Sequence, residues 1–464
     1  MELKQTKKSN IKTKVFFKLK SDYADIPDFG GELEQVRVLY KETSVEIYIG
    51  LGDNEKKSLN TFRMVGARAI KEVKILKKNQ CAIFVDKVFD KKEFVHALVE
   101  GIILGGYSFE KYKTKDDKNK IEKVEIVCEK DVSNEIKEAT IISQSVIYTR
   151  DLVNENAEVT VPEHFAQEAR GFAKTHKMKC KILDEKELQK QGLGLLYAVG
   201  KGAAQQPRLI ILEYNGDKSS KKKIALVGKG LTFDTGGLNL KPSGSMETMK
   251  SDMSGAGAVL GTMKVISELG LKVNVIAVIP AACNAISNTS YFPGDVYKSY
   301  SGKTVCILNT DAEGRLILAD AISYVVKNYK PDCLVDIATL TGAMTVIFSK
   351  FIAGLFSNND DMAKALFKAG EKTSERLWQL PIYDEYREAM KGEVADFNNM
   401  SNLGRGEGGS IAAAAFLEAF VENTPWAHID IASVAYNEKG ARGYTPKFAT
   451  GYGVRLLVEW IKNI

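Results

Sequence analysis

The stretch Asn309-Thr310-Asp311-Ala312-Glu313-Gly314-Arg315-Leu316 sets two carboxylates two residues apart and a guanidinium four residues after the first, between two apolar segments. Upstream, Thr304-Val305-Cys306-Ile307-Leu308 reads as a short buried strand. Downstream, Leu316, Ile317, Ala319, Ala321, Ile322, Val325 and Val326 recur at helical spacing. The octet is therefore expected at a strand-to-helix junction, the unit from which α/β folds are built. In extended or turn backbone, positions i and i+2 project to one side, so Asp311 and Glu313 can face a common pocket. Like charges so close need a divalent cation or a cationic side chain between them; otherwise one carboxyl is pushed up in pKa. Acidic residues also gather at helix starts for the simpler reason that they meet the positive end of the helix dipole.

About eighty residues earlier, the apolar run Ile224-Ala225-Leu226-Val227-Gly228 feeds Lys229-Gly230-Leu231-Thr232-Phe233-Asp234-Thr235-Gly236-Gly237. Lys241 follows, and then Met249-Lys250-Ser251-Asp252. A strand entering a glycine-rich loop is where open α/β sheets place ligands. The glycine spacing matches neither the nucleotide P-loop nor the dinucleotide fingerprint, and no helix-forming run follows directly, so a phosphate cradle is excluded here.

The segments 227–237, 249–252 and 309–316 resemble the signature blocks of the leucyl aminopeptidase family, cytosolic two-metal exopeptidases, and the octet matches the family signature without a substitution. Supporting blocks are Leu152-Val153-Asn154, Pro293-Gly294-Asp295-Val296, Asp336 to Ala343 and Trp426 to Ala432. Residues 1 to about 150 resemble the family only loosely.

The resemblance implies one metal held by Asp234, Asp311 and Glu313, with the Asp311 carbonyl as a further ligand. A second metal would be held by Lys229, Asp234, Asp252 and Glu313. Lys241 and Arg315 are implied as catalytic residues outside the metal set, with bicarbonate held at Arg315 as general base. Met249, Leu340, Gly342, Ala432 and Ala435 match the family's side-chain pocket, whose apolar lining favours leucine-like residues.

Independent chemistry agrees. Four carboxylates in one pocket repel severely, and two dications balance them. A lysine ligand must be neutral, and an adjacent dication can depress its pKa. An oxygen-dominated set discriminates weakly among Zn, Mn, Co and Mg; the family expectation is zinc, with manganese as an activating substitute. The implied reaction is peptide hydrolysis by a hydroxide bridging two cations roughly 3.5 to 4 Å apart, with one cation polarising the scissile carbonyl. The substrate's α-amine would dock on the metal that carries Lys229, and Lys241 would stabilise the oxyanion.

Over its 464 residues the chain is 44% hydrophobic and 27% charged, an ordinary composition with length enough for two domains. No apolar run reaches the roughly 18 residues of a membrane span. The first twenty residues hold Lys4, Lys7, Lys8, Lys12, Lys14, Lys18 and Lys20 without the apolar core of a secretory signal, so a cytoplasmic enzyme is expected. Six dispersed cysteines read as reduced thiols.

The fold class expected is α/β in two domains. Residues 1–134 would form an N-terminal α/β domain, macro-domain-like by the resemblance, for assembly or regulation. Residues 135–160 would be a linking helix and connector, and 161–464 a catalytic domain with a mostly parallel sheet flanked by helices. Lys111 to Lys130 mixes both charges and reads as a solvated hairpin or helix surface. Asn402 to Ser410 reads as a mobile glycine-rich loop rather than an anion cradle; Arg405 within it departs from the family pattern. Cys283, before Asn284, stands where the family usually has glutamate. The four histidines are too scattered for a ligand set, and His428 reads as structural.

The family assembles as a hexamer whose sites face an interior cavity open to short peptides. Two other function classes compete. DNA binding has weak support, since a net +6 is modest over this length and no recognition helix or aromatic-stacking motif is evident. A dead scaffold is opposed by the complete ligand set. A Cys-Gly dipeptidase is the nearest enzymatic alternative, and serine or cysteine hydrolysis lacks both a nucleophile elbow and a base histidine.

Overall fold

The computed structural model describes residues 1–22, 26–85, 89–114, 120–404 and 406–464, and the chain divides into two compact units. The first comprises Met1–Ile147 with Asn437–Phe448, the second Tyr148–Tyr436 with Ala449–Ile464. The helix Ser133–Asn154 runs through the division.

The first unit is built on β1 (Glu2–Thr6), β2 (Thr13–Lys18), β3 (Val36–Tyr40), β4 (Val45–Gly50), β5 (Gln80–Phe84) and β6 (Lys123–Val127), in sheet order β1-β6-β5-β2-β4-β3. All neighbours are parallel except β3 with β4. In β2, Thr13, Val15 and Phe17 are buried while Lys14, Phe16 and Lys18 alternate outward, the period-2 pattern of a sheet packed on one face. Helices Leu59–Ile75 and Lys92–Gly105 pack together closely enough that a Cβ on Gly101 would stand 2.1 Å from the Arg63 carbonyl oxygen. Ser58 caps the first of these in a reciprocal capping box with Thr61.

The reading of residues 111–130 as a solvated surface needs correcting. Lys123–Val127 is a strand between β1 and β5, with Val124 to Val127 buried, because its charged neighbours belong to the connections and not to the strand. Residues 115–119 and Arg405 lie outside the described residues.

The second unit holds β7 (Lys179–Leu183), β8 (Arg208–Asn215), β9 (Ile224–Gly228), β10 (Gly230–Asp234), β11 (Asn274–Asn284), β12 (Val296–Lys298), β13 (Thr304–Cys306), β14 (Cys333–Ala338), β15 (Ala353–Ser357), β16 (Leu377–Gln379), β17 (Phe397–Asn398) and β18 (Trp426–Asp430). The main sheet runs β16-β15-β18-β14-β9-β11-β8-β7, with β10 paired to β11. Its centre, β18-β14-β9-β11, is parallel. All five residues of β9 are buried, as expected of a strand covered on both faces.

Alternate residues divide between the two faces. Ala225, Val227, Ile276 and Val278 join a core with helices Gly194–Gly200, Gly314–Tyr329 and Gly409–Glu418, while helix Ser254–Glu268 packs on β9 and β14. The strands β12-β13-β17 form a small separate sheet leading into the octet. Among the described residues, no helix is long and apolar enough to cross a membrane.

Candidate active site

The octet sits where the sequence pattern puts it, between β13 and the helix Gly314–Tyr329. Its backbone is held from outside. Asn399 is buried and accepts from the Leu308 and Asn309 amides at 2.8 and 3.2 Å, while its Nδ2 donates to the Asn309 carbonyl at 2.6 Å. The Thr310 carbonyl accepts from Tyr291 Oη at 2.7 Å and Asn284 Nδ2 at 3.0 Å. Thr310 Oγ1 donates to the Gly236 carbonyl at 2.6 Å and accepts from the Asn239 amide at 2.8 Å, joining the octet to the glycine loop after β10.

Lys229 follows β9, and Asp234 closes β10. Asp252 ends the short 3-10 turn Met249–Ser251, just before helix Ser254–Glu268. These three residues and Glu313 converge. Asp234, Asp252 and Glu313 are buried and offer carboxylate oxygens all within 4.8 Å of one another. Lys229 Nζ lies 2.8 Å from Asp252, 3.2 Å from Glu313 and 2.9 Å from the Thr339 carbonyl. Lys241 Nζ lies 2.7 Å from Asp234 and 2.5 Å from Asp311. Asp234 Oδ1 also accepts from Asn284 Nδ2 and from the Gly236 amide, both at 2.9 Å. A Cβ on Gly314 would stand 2.6 Å from Lys229 Cε and Nζ and 3.1 Å from Leu340 Cδ1, so the helix starts with glycine because the lysine passes there.

The charges perturb one another. Burial pushes Asp252 up to about 7, reinforced by Asp234 and Glu313 against the pull of Lys229. Burial would lower both Lys229 and Lys241, but the facing carboxylates outweigh it and raise both. Burial raises Asp311, with Lys241 opposing. Arg315 is buried facing Glu313 and Asp430, and desolvation draws it down to about 10.

The donor set suits divalent cations on two counts. Three buried carboxylates share one small volume, and Glu313 Oε2, also buried, has no hydrogen-bond partner among the described residues. A lysine serving as ligand would first have to release its proton, which a nearby dication favours by repulsion.

Of the expected pocket residues, Leu340 packs beside Gly314, its Cδ1 3.1 Å from where a Cβ there would stand, and Met249 opens the turn that delivers Asp252. Gly342 continues the loop after β14. Ala432 and Ala435 follow β18, the parallel neighbour of β14. Cys283 is partly buried, and desolvation raises its thiol to about 11; Asn284 beside it bonds Asp234, so the departure from glutamate leaves that contact intact. His428 is fully buried against Asp336 at 2.6 Å, outside the carboxylate cluster.

Residues 147–458 match the sequence model of the cytosol aminopeptidase family catalytic domain, and residues 21–116 that of its N-terminal domain. The chain belongs to the cytosol aminopeptidase family. It is 43% identical over 450 residues to a probable cytosol aminopeptidase of Protochlamydia amoebophila, covering 94% of this chain and 89% of the relative. It is 43% identical over 447 residues to one of Aquifex aeolicus, covering 95% and 90%. Among solved structures it superposes on the bottromycin maturation enzyme BotP in complex with Mn, with a TM-score of 0.90, 31% identity and coverage of 97% and 99%. As a member of this family the chain is a metal-dependent aminopeptidase built around a dinuclear site.

Proposed function

We propose that the enzyme releases leucine-like N-terminal residues from short peptides at a two-metal centre, with Asp234, Asp311 and Glu313 holding one cation and Lys229, Asp234, Asp252 and Glu313 the other. The observation that carries this reading is the convergence of three buried carboxylates with Lys229 and Lys241. Two cations held there would supply a nucleophile from water at neutral pH and polarise the scissile carbonyl.

The chain's own groups do the rest. Lys241 is held protonated by its carboxylate neighbours and is placed to donate to the oxyanion of the tetrahedral intermediate. Arg315 is buried within electrostatic reach of Glu313 and Asp430, and its guanidinium fork suits a planar anion such as bicarbonate, which would serve as general base. Lys229 and Asp252 mark the end that takes the substrate's free amine, which confines cleavage to the N-terminus. The apolar residues Met249, Leu340, Gly342, Ala432 and Ala435 receive the side chain. Manganese is favoured as an activating metal by its presence in BotP, with zinc as the alternative.

The proposal extends to cytoplasmic residence, to a homohexamer that restricts entry to short peptides, and to an assembly or regulatory role for the N-terminal domain ahead of a catalytic domain beginning near residue 161. The deciding experiment is hydrolysis of leucine p-nitroanilide by metal-stripped protein with Mn or Zn restored, beside Asp311→Ala and Lys241→Ala. Activity that returns with metal and falls by orders of magnitude in both variants is the expected result. Metal-independent turnover, or none at full metal loading, overturns the mechanism, and faster turnover of Cys-Gly than of the leucine substrate moves the assignment to a dipeptidase.

One observation favours nucleic-acid binding as an additional role. Residues 1–20 carry seven lysines against one glutamate, a formal charge equal to the chain's whole net +6. Lys8 and Lys12 join Lys78 and Lys123 around a cavity of about 600 Å³ in the first unit. Retention of duplex DNA that weakens steeply with salt and is lost on replacing Lys8 and Lys12 would support that role.

A further inference from the structure

Asp430 is fully buried at the end of β18, yet no step of the proposed chemistry uses it. Its carboxylate bridges the two loops that leave the adjacent parallel strands β14 and β18. Oδ1 accepts from the Leu340 amide at 3.1 Å and the Thr341 amide at 3.4 Å on one loop, and from the Ala432 amide at 3.1 Å on the other. Oδ2 accepts from Thr341 Oγ1 at 2.7 Å. Because the Thr341 hydroxyl proton is spent on Asp430, the 2.5 Å contact between Thr341 and Ser410 has the Ser410 hydroxyl as donor, which ties helix Gly409–Glu418 into the same network.

A buried carboxylate with four charge-assisted hydrogen bonds is a rigid tie, because losing any partner leaves a polar group dry. Leu340 and Ala432 are residues of the proposed side-chain pocket, and Leu340 Cδ1 lies 3.1 Å from where a Cβ on Gly314 would stand. Their separation is thus set by a residue that is neither one of the proposed pocket residues nor one of the proposed metal ligands.

We infer that Asp430 is a positioning residue that fixes the width of the side-chain pocket, and through it the enzyme's preference for a branched apolar residue over a smaller one. The inference rests on the pocket proposed above. A pocket that fits one extra methylene well discriminates by about 10- to 200-fold, and that discrimination vanishes when the walls can move. Asp430→Ala removes the tie. Asp430→Asn weakens it, because an amide can accept from the loop amides and donate to Thr341 but carries no charge. Thr341→Val removes one strand of it.

The test is the ratio of kcat/KM for leucine p-nitroanilide to that for alanine p-nitroanilide, measured with metal content and unfolding midpoint for each variant. In Asp430→Ala the ratio is expected to fall at least tenfold, mostly through a higher KM for the leucine substrate, with metal stoichiometry unchanged. Asp430→Asn and Thr341→Val should shift it two- to fivefold in the same direction, and they carry the test if the alanine variant does not fold. A ratio that stays within twofold of wild type in every folded variant, with both substrates slowed alike, overturns the inference: Asp430 would then only hold the fold together. A wild-type enzyme that does not prefer leucine over alanine overturns the pocket reading itself, which is a distinguishable failure.

Discussion

Gly314 shows how far a single atom governs the centre. A methyl there would overlap Lys229 Cε and Nζ at 2.6 Å and force the lysine tip to move away from Asp252, Glu313 and the Thr339 carbonyl that hold it. Gly314→Ala is expected to cost about 1 to 3 kcal/mol of stability by overpacking and to lower kcat/KM by more than tenfold, read by steady-state kinetics and thermal unfolding of the same preparation. A variant with wild-type activity would show that Lys229 has freedom the packing denies it. Glu313→Gln leaves the size unchanged while removing one negative charge from the cluster. Isothermal titration with Mn should show at least a tenfold loss of affinity, and unchanged affinity would exclude Glu313 as a ligand.

Asp320 couples elements to one another. From the middle of helix Gly314–Tyr329 its Oδ2 accepts from the Leu195 and Leu196 amides at 2.8 and 2.9 Å, at the start of helix Gly194–Gly200, and its Oδ1 accepts from the Tyr300 amide at 2.8 Å. A carboxylate at a helix N-terminus meets the positive end of the dipole. Asp320→Ala would leave three amide donors without an acceptor, and a loss of roughly 3 kcal/mol or more in denaturant unfolding is expected. A loss under 1 kcal/mol would mean that water enters and replaces the carboxylate. The strand β6 belongs to the same scale. Its Val-Glu-Ile-Val core is buried, but it lies in text dense with lysine and glutamate, so composition over a twenty-residue window concealed a five-residue strand.

Across the whole molecule, groups that hold their protons more tightly when folded predict a pH dependence of stability: Asp320, His428 and, in the carboxylate cluster, Asp252. Burial pushes Asp320 up to about 7 from 3.8, against the pull of its three amide donors. Burial would lower His428, but the charge and hydrogen bond of Asp336 outweigh it and raise it above 6.5. All three folded values exceed the unfolded ones. The stability each contributes is therefore complete below its unfolded value and lost as pH rises through its folded value. In the presence of a chelator, the unfolding midpoint is expected to decline from about pH 4 to 7 through Asp320 and Asp252 and to continue falling above 6.5 through His428. The decline below pH 6 should become shallower in Asp320→Ala, with Asp252 supplying the remainder, and an equal decline in that variant would exclude Asp320 as a contributor. Restoring Mn at about a hundred times its dissociation constant should add roughly 2.7 kcal/mol, raising the midpoint by several degrees. No shift would mean that the cation binds folded and unfolded chain alike.

What the amino-acid sequence determined by itself was the family, with its metal-dependent aminopeptidase activity, and the local scaffold of the candidate site. Ligand chemistry restricts residue type at short spacing, so the proposed ligands Asp311 and Glu313, Lys229 and Asp234, and the segment Met249 to Asp252 are visible as compact blocks between apolar runs. The periodicities of β9 and of helix Gly314–Tyr329 are legible because each buries its residues at a regular interval. What only the tertiary structure decided is who holds those blocks in place. Asn399 grips the octet from 90 positions away at Asn309, the Thr339 carbonyl meets Lys229 across 110, and Asp430 reaches Leu340 across 90. Such partners are single polar residues on different elements. A hydrogen bond across the fold imposes no spacing along the chain, so nothing in the sequence marks them until the strands are set side by side.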